Sequence, residues 1–261
     1  MIEVKDLRKS FDGVEVLKGI TTTFQTGKIN LVIGQSGSGK TVFLKCLLNV
    51  FEPTSGSILF DGRNLVTMGR EEKEQIRSEI GTVFQGSALF DSMTVEENIS
   101  FPLDMFTNLT FTEKRKRVKE VIGRVHLENA NKKFPSEISG GMQKRVAIAR
   151  AIVNNPKYLF CDEPNSGLDP NTAIVIDELL TEITEEYNTT TIINTHDMNS
   201  VLTIGENIVY LRNGVKEWEG DKDIIIKATN PHLIDFVYSS ALFKQVRETM
   251  LKNNQTNLSE S

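Results

Sequence analysis

The sequence holds little from which to build a disulfide framework or a metal centre: two cysteines, Cys46 and Cys161, and three histidines, His126, His196 and His232, in 261 residues. Both cysteines sit in apolar segments with no CxxC or Cys/His spacing, the setting of buried small hydrophobic residues in a reducing compartment. An excess of positive charge is also missing. The net charge is −5, which argues against the broad basic face of a nucleic-acid binder. No uninterrupted apolar run approaches the roughly 18 residues needed to span a bilayer. Met1 to Asp6 lack a basic stretch followed by an apolar one. A cytosolic location is therefore expected, and any membrane role would need a partner to supply the membrane part. No internal repeat, low-complexity tract or linker to a second full domain stands out.

What is present suits one large globular unit: 39% hydrophobic and 25% charged residues, enough to bury a sizeable core. Residues 2–7 alternate in polarity and residues 14–25 form a second β-like stretch, with Gly13 and Gly27 as turns. Ile29–Ile33 reads as a short apolar strand, and Thr41–Val50 as a helix that stops before Pro53. Thr54–Arg63 reads as a strand. A helical middle follows. Thr110 and Glu113 have capping-box spacing, and Val118, Val121, Ile122 and Val125 share one helix face. The basic run Lys114–Arg117 is expected to be a solvated surface on the other side. Ser139–Val153 and Asn171–Tyr187 read as helices, and Tyr158–Cys161 and Thr190–Thr195 as strands. This alternation predicts an α/β fold with a parallel sheet. Beyond Gly220, Asn230 and Pro231 look like an N-cap and first helical residue. Leu233, Ile234, Phe236, Val237, Leu242, Phe243, Val246 and Met250 would form the apolar face of a helical tail, with the last ten residues frayed.

Three clusters carry chemistry. Gly34-Gln35-Ser36-Gly37-Ser38-Gly39-Lys40-Thr41 is a phosphate-binding P-loop between a strand and a helix, with Val42 next in that helix. Its glycines let the backbone wrap closely, and its N–H groups and helix N-terminus stabilise negative charge. Lys40 is placed for the β- and γ-phosphates of ATP, and the Thr41 hydroxyl for Mg²⁺. Asp162-Glu163 ends an apolar strand. There Asp162 can ligate the same metal ion, and Glu163 can orient or deprotonate an attacking water. Ser139, Gly140 and Gly141 open a helix and offer a hydroxyl and bare N–H groups to a γ-phosphate.

The stretch from Ile138 to Ala151, between the P-loop and Asp162-Glu163, resembles the signature motif of the ABC (ATP-binding cassette) ATPases. Met142 stands where that family usually has glutamine. The resemblance spans about residues 1–220 and implies a RecA-like parallel core sheet, an antiparallel β subdomain and an α-helical signature subdomain. Residues from about 87 to 140 would form the helical and coupling region, and residues 221–261 a C-terminal helical extension. Phe11 matches the aromatic that stacks on adenine. Gln85 matches a glutamine that senses Mg²⁺ and the γ-phosphate. Ser166 and Asp169 look like the D-loop, and His196 matches the switch histidine that holds the γ-phosphate and water. In such proteins two cassettes pack head to tail, so Ser139–Met142 would act in trans and an isolated subunit would hydrolyse ATP poorly.

Within the family, Phe84 to Leu103 looks like the corresponding segment of Mce-type lipid-transport cassettes, including the Mla systems of Gram-negative bacteria. The Ser-Gly-Gly-Met form of the signature is also seen there. That likeness implies a phospholipid transporter whose permease docks on Gln85–Leu103. It also implies an Mce-domain protein reached indirectly, a helical middle open to a small regulatory subunit, and a place on the cytoplasmic face of the inner membrane. The alternatives are a cassette of another importer or exporter, for amino acids or lipoproteins, and a division-type cassette. A DNA-repair or translation ATPase is disfavoured, because it usually carries fused cassettes, coiled coils or zinc inserts.

Overall fold

The computed structural model describes residues 1–239 together with Lys244, Gln245, Arg247 and Thr249. In chain order the elements are β1 (Ile2–Phe11), β2 (Val14–Phe24), β3 (Lys28–Ile33), α1 (Lys40–Leu47), β4 (Ser55–Phe60) and β5 (Arg63–Asn64). Next come α2 (Arg70–Ser78), β6 (Ile80–Val83), α3 (Val95–Phe106), α4 (Phe111–Arg124), α5 (Gly140–Ile152) and β7 (Tyr158–Asp162). The described chain closes with α6 (Pro170–Tyr187), β8 (Thr190–Asn194), α7 (Met198–Ile204), β9 (Asn207–Arg212), β10 (Val215–Gly220) and α8 (Pro231–Val237).

Two sheets result. The larger has the order β10-β9-β3-β8-β7-β6, with every pairing parallel except β10 on β9. The smaller is antiparallel, in the order β2-β1-β4-β5. Along the central strands, successive side chains enter two different cores. Ile29, Leu31 and Ile33 of β3, with Leu159 and Cys161 of β7, face the cluster that holds α3 to α7. Val32, Tyr158, Phe160 and Ile192 face the cluster that holds α1 and the antiparallel sheet. Burial on both faces explains why these strands read as unbroken apolar runs.

The P-loop strand and helix, the helix opened by Ser139, and the strand ending at Asp162 lie where the sequence predicts them. Thr110 and Glu113 close the expected capping box, with 2.7 Å from Thr110 N to Glu113 Oε2. Both cysteines are buried. The basic run differs from expectation. Arg115 and Lys116 are exposed, but Arg117 is half-buried and donates to the carbonyls of Ile152 and Val153 at the end of α5. Its role is to satisfy helix-end acceptors that have no partner within the helix. In the C-terminal part, Asn230 caps α8 through a 3.0 Å bond from Leu233 N, as predicted. Leu233 and Val237 join the larger core, while Leu242, Phe243, Val246 and Met250 lie outside the described residues.

Candidate active site

The C-terminal ends of β3, β7 and β8 converge on one cleft of about 790 Å³, the edge where parallel α/β sheets place their ligands. The cleft is lined by Gly34 to Val42, Gln85, Asp162, Glu163 and His196. Two glycines are mandatory there. At Gly34 (φ +154°) a Cβ would lie 2.3 Å from the carbonyl oxygen of Leu211, and Gly39 caps α1 with φ +104°. No side chain caps the start of α1, so its N–H groups are available to an anion. Lys40 Nζ donates to the carbonyls of Gly34 at 2.7 Å and Gln35 at 3.2 Å, folding back over the loop. Burial pushes the Lys40 ammonium down from its usual pKa, and the charges of Glu163 and Asp162 act in the opposite sense. The Ser38 hydroxyl is buried with no partner, a polar group left for a ligand to satisfy.

Opposite the loop, Asn194 Nδ2 donates to Asp162 Oδ1 at 3.2 Å. Glu163 has φ +50°, an uncommon backbone state for a side-chain-bearing residue and one that clusters at functional sites. Its Oε1 lies 2.7 Å from His196 Nδ1. Gln85 Nε2 donates to Ser166 Oγ at 3.2 Å, so the loop after β6 meets the loop after β7. Asp169 caps α6, accepting from the N–H groups of Asn171 and Thr172. The Thr172 hydroxyl first, and these N–H groups with it, hold the Asp169 carboxyl below its usual pKa.

The remaining predicted residues stand elsewhere. Phe11, at the end of β1, is 37% exposed and packs edge-on against Phe51 at 5.2 Å, outside the cleft lining. Ser139 caps α5 through a 3.3 Å bond from Met142 N. Ser139, Gly140, Gly141 and Met142 do not line their own chain's cleft; the first two are exposed and Met142 packs on the larger core. Sequence reasoning missed Val16, Met198, Asp235, Phe236 and Ser239, which also line the cleft. The last three arrive with α8, held by a stack of Phe236 on Tyr210 at 5.5 Å. No local signal marks them, because the contact is long-range.

The groups fit a magnesium-bound nucleoside triphosphate. Thr41, Gln85 and Asp162 offer hard oxygen donors on one cleft, which suits Mg²⁺. Among the described residues no cluster of three or more histidine, cysteine, aspartate or glutamate residues could hold a metal alone.

The glycine cradle, Lys40 and the Asp162-Glu163 strand end define the chain as a P-loop nucleoside triphosphatase. Residues 17–166 match the family model described as ABC transporter. The chain is 37% identical over 236 residues to the probable ribonucleotide transport ATP-binding protein Mkl of Mycobacterium tuberculosis, covering 90% of this chain and 66% of that one. It therefore spans about two thirds of the length of this relative. It is 36% identical over 263 residues to the methionine import ATP-binding protein MetN 2 of Oceanobacillus iheyensis, covering 99% of this chain and 74% of the relative. Among solved structures, the dimeric bacterial ABC transporter cassette MJ0796 superposes with a TM-score of 0.78 at 34% identity, over 85% of this chain and 99% of that one. The chain belongs to the ABC transporter family, as one of its ATP-hydrolysing cassettes, with ATP and Mg²⁺ as its nucleotide and ion.

Proposed function

We propose that two copies of this chain pack head to tail, with each ATP held between the P-loop of one and the Ser139–Met142 turn of the other. The observation that carries this reading is a separation: Ser139 and Gly140 are exposed, and none of these four residues lines the chain's own cleft. A capped helix start with free N–H groups is an anion site in search of its anion. The dimeric state of MJ0796 supports the pairing of two such cassettes. In the shared site Glu163 is the base that takes the proton of the attacking water, and His196, 2.7 Å away, holds that water and the γ-phosphate. Lys40 neutralises the phosphates and Gln85 reports their presence to the loop beyond it. Ser166 and Asp169 border the partner, and Phe11 stacks on adenine. When bound on Thr41, Gln85 and Asp162, Mg²⁺ supplies charge neutralisation at the phosphates.

The work is done on a membrane partner. No described helix is long and apolar enough to cross a membrane. A groove of about 420 Å³, lined by Phe84, Phe90, Phe101, Met105 and Phe106 among others, opens beside Gln85. Asn98, fully buried, holds the wall of this groove by accepting from Phe90 N at 2.8 Å and donating to the carbonyls of Phe90, Met93 and Thr94. Exposed aromatic and methionine side chains beside one another favour an apolar partner segment. The permease docks here, where Ala88, Phe90, Phe101 and Pro102 of the Gln85–Leu103 segment meet Phe84, Met105 and Phe106. The resemblance of this segment to Mce/Mla cassettes makes phospholipid, moved between inner and outer membranes, the transported molecule. An Mce-domain protein then joins through the permease, and a small regulatory subunit has the helical middle at its disposal. The cassette sits on the cytoplasmic face of the inner membrane.

The names of Mkl and MetN 2 favour a second reading, transport of a small polar metabolite. Purification of E163Q from its native membranes in mild detergent separates the two. Recovery of a permease, an Mce-domain protein and phospholipid is expected; recovery of an amino-acid or nucleotide permease would overturn the lipid assignment.

A further inference from the structure

Behind the cleft lies a buried carboxylate that the chemistry above does not use. Asp177 is on α6 and is 7% exposed. Its Oδ1 accepts from Asn165 Nδ2 at 2.8 Å and its Oδ2 from Ser200 Oγ at 2.7 Å, while Asn165 Nδ2 also donates to Ser200 Oγ at 3.1 Å. Asn165 and Ser200 are themselves 9% and 2% exposed. Among the described residues no salt bridge involves Asp177. Burial pushes its carboxyl up from the usual range, with the two hydrogen bonds acting the other way and the charge of Asp197 adding to the rise. A buried acid without a cation is costly, and two hydrogen bonds offset only part of that cost. For packing alone, an apolar residue would serve α6 better at this position.

The placement of its two partners gives the acid a purpose. Asn165 follows Glu163 by two residues and precedes Ser166, the acceptor of Gln85 Nε2. Ser200 is on α7, four residues beyond His196. The loop after β7 and the start of α7 therefore hang on the two oxygens of one side chain. These are the segments that bring Glu163 and His196 within 2.7 Å of each other. Each segment has other anchors, Glu163 N donating to Asn194 O at 2.9 Å and Met198, Val201 and Ile204 of α7 packing on the larger core, but Asp177 is the side chain that joins Asn165 to Ser200. Glu163 is in a left-handed backbone state, which surrounding structure must hold in place, and α7 has only seven residues.

We infer that Asp177 is a positioning residue for hydrolysis: through Asn165 and Ser200 it sets the distance between Glu163 and His196. It does not line the nucleotide cleft. Loss of the acid therefore leaves the P-loop intact and lets Glu163 and His196 drift apart. The inference rests on Glu163 and His196 acting in ATP hydrolysis.

The test compares full-length wild type with D177N, S200A, H196A and the double variant D177N/H196A, measuring kcat, KM and equilibrium affinity for a fluorescent ATP analogue. D177N keeps the shape but turns an acceptor into a donor facing donors. Its kcat is expected to fall about ten- to a hundredfold, the order of effect that a small misplacement of catalytic groups produces. Affinity is expected to stay within about twofold, and H196A to cost far less in D177N than in wild type, because groups that act as a unit are non-additive. S200A removes a single hydroxyl and serves if D177N does not fold; a smaller drop of the same kind is expected. The inference is overturned if kcat is unchanged in both variants, if affinity falls along with kcat, or if H196A costs the same in both backgrounds. The His196 ring resonances, read by NMR, give an answer that does not need turnover. They are expected to shift in D177N or S200A, and unshifted resonances contradict the inference. A wild-type chain that binds ATP without turning it over would instead sink the ATPase reading.

Discussion

His196 Nδ1 and Glu163 Oε1 stand 2.7 Å apart, although the side chain of His196 is 67% exposed and that of Glu163 only 15%. The exposed partner reaches into solvent where a nucleotide must come and go. The covered partner is shielded from it, as a base needs to be if its proton is to come from one bound water. E163Q keeps the shape of the side chain and removes the basic oxygen. Turnover is expected to fall about 10²- to 10⁴-fold, while ATP affinity survives and ATP holds the dimer closed. Initial-rate kinetics and size-exclusion chromatography with ATP check both halves of the expectation.

Lys40 bonds to the Gly34 and Gln35 carbonyls and is the cation of the phosphate cradle. K40A therefore loses nucleotide affinity, not only turnover. Isothermal titration with ATP is expected to show binding weakened by at least about tenfold, the size of one charge-assisted contact or more. Unchanged affinity would mean that the cradle binds through its backbone alone.

A third expectation concerns the groove. Met105 is 59% exposed and lines it. M105E places a charge on the face assigned to the permease and should release the chain from native membranes into the soluble fraction. The melting temperature should stay close to that of wild type, because exposed substitutions usually change stability by less than about 0.5 kcal/mol. Membrane retention in spite of the charge would remove the groove from the docking surface.

Stability has its own acid limb. Glu79 accepts from Arg63 and Lys157 at the end of α2, with its side chain 13% exposed. Burial alone would raise its pKa, but the bonds from Arg63 and Lys157 outweigh it and hold the carboxyl below the usual value. The folded-state pKa lies below the unfolded one. The stabilisation is therefore complete above the unfolded value of about 4.3 and is lost as pH falls through the folded one. Urea unfolding is expected to show E79Q destabilised by about 1–3 kcal/mol at neutral pH, with the gap closing in acid. A gap that persists at low pH would point to lost packing instead.

How far the sequence speaks depends on the range of the interaction. The P-loop was legible because β3, its glycines and α1 are contiguous, and each position has one physical demand. The capping boxes at Thr110 and Asn230's N-cap were legible for the same reason. Elsewhere the signals were weak or remote. In α2 a single residue, Ile76, is buried and the rest are polar or half-exposed, so no apolar face announces it. Pro102 stands inside α3, against the usual rule. The β9–β10 hairpin did carry a signal. Asn213 and Gly214, with φ of 51° and 82°, are the Asn-Gly pair of a tight hairpin turn. The left-handed Glu163, the Asp177 tie and the α8 residues in the cleft depend on contacts between segments far apart in the chain, which no local pattern encodes.

The shared site is tested most directly by mixing two disabled subunits. K40A lacks a working P-loop and S139A a working signature. Each alone is expected to be nearly inactive. Mixed, they form heterodimers in which the P-loop of the S139A subunit faces the intact Ser139 of the K40A subunit, so one complete site returns. The head-to-tail account predicts that ATPase activity reappears on mixing and rises with the heterodimer fraction. A mixture no more active than its two components would contradict it.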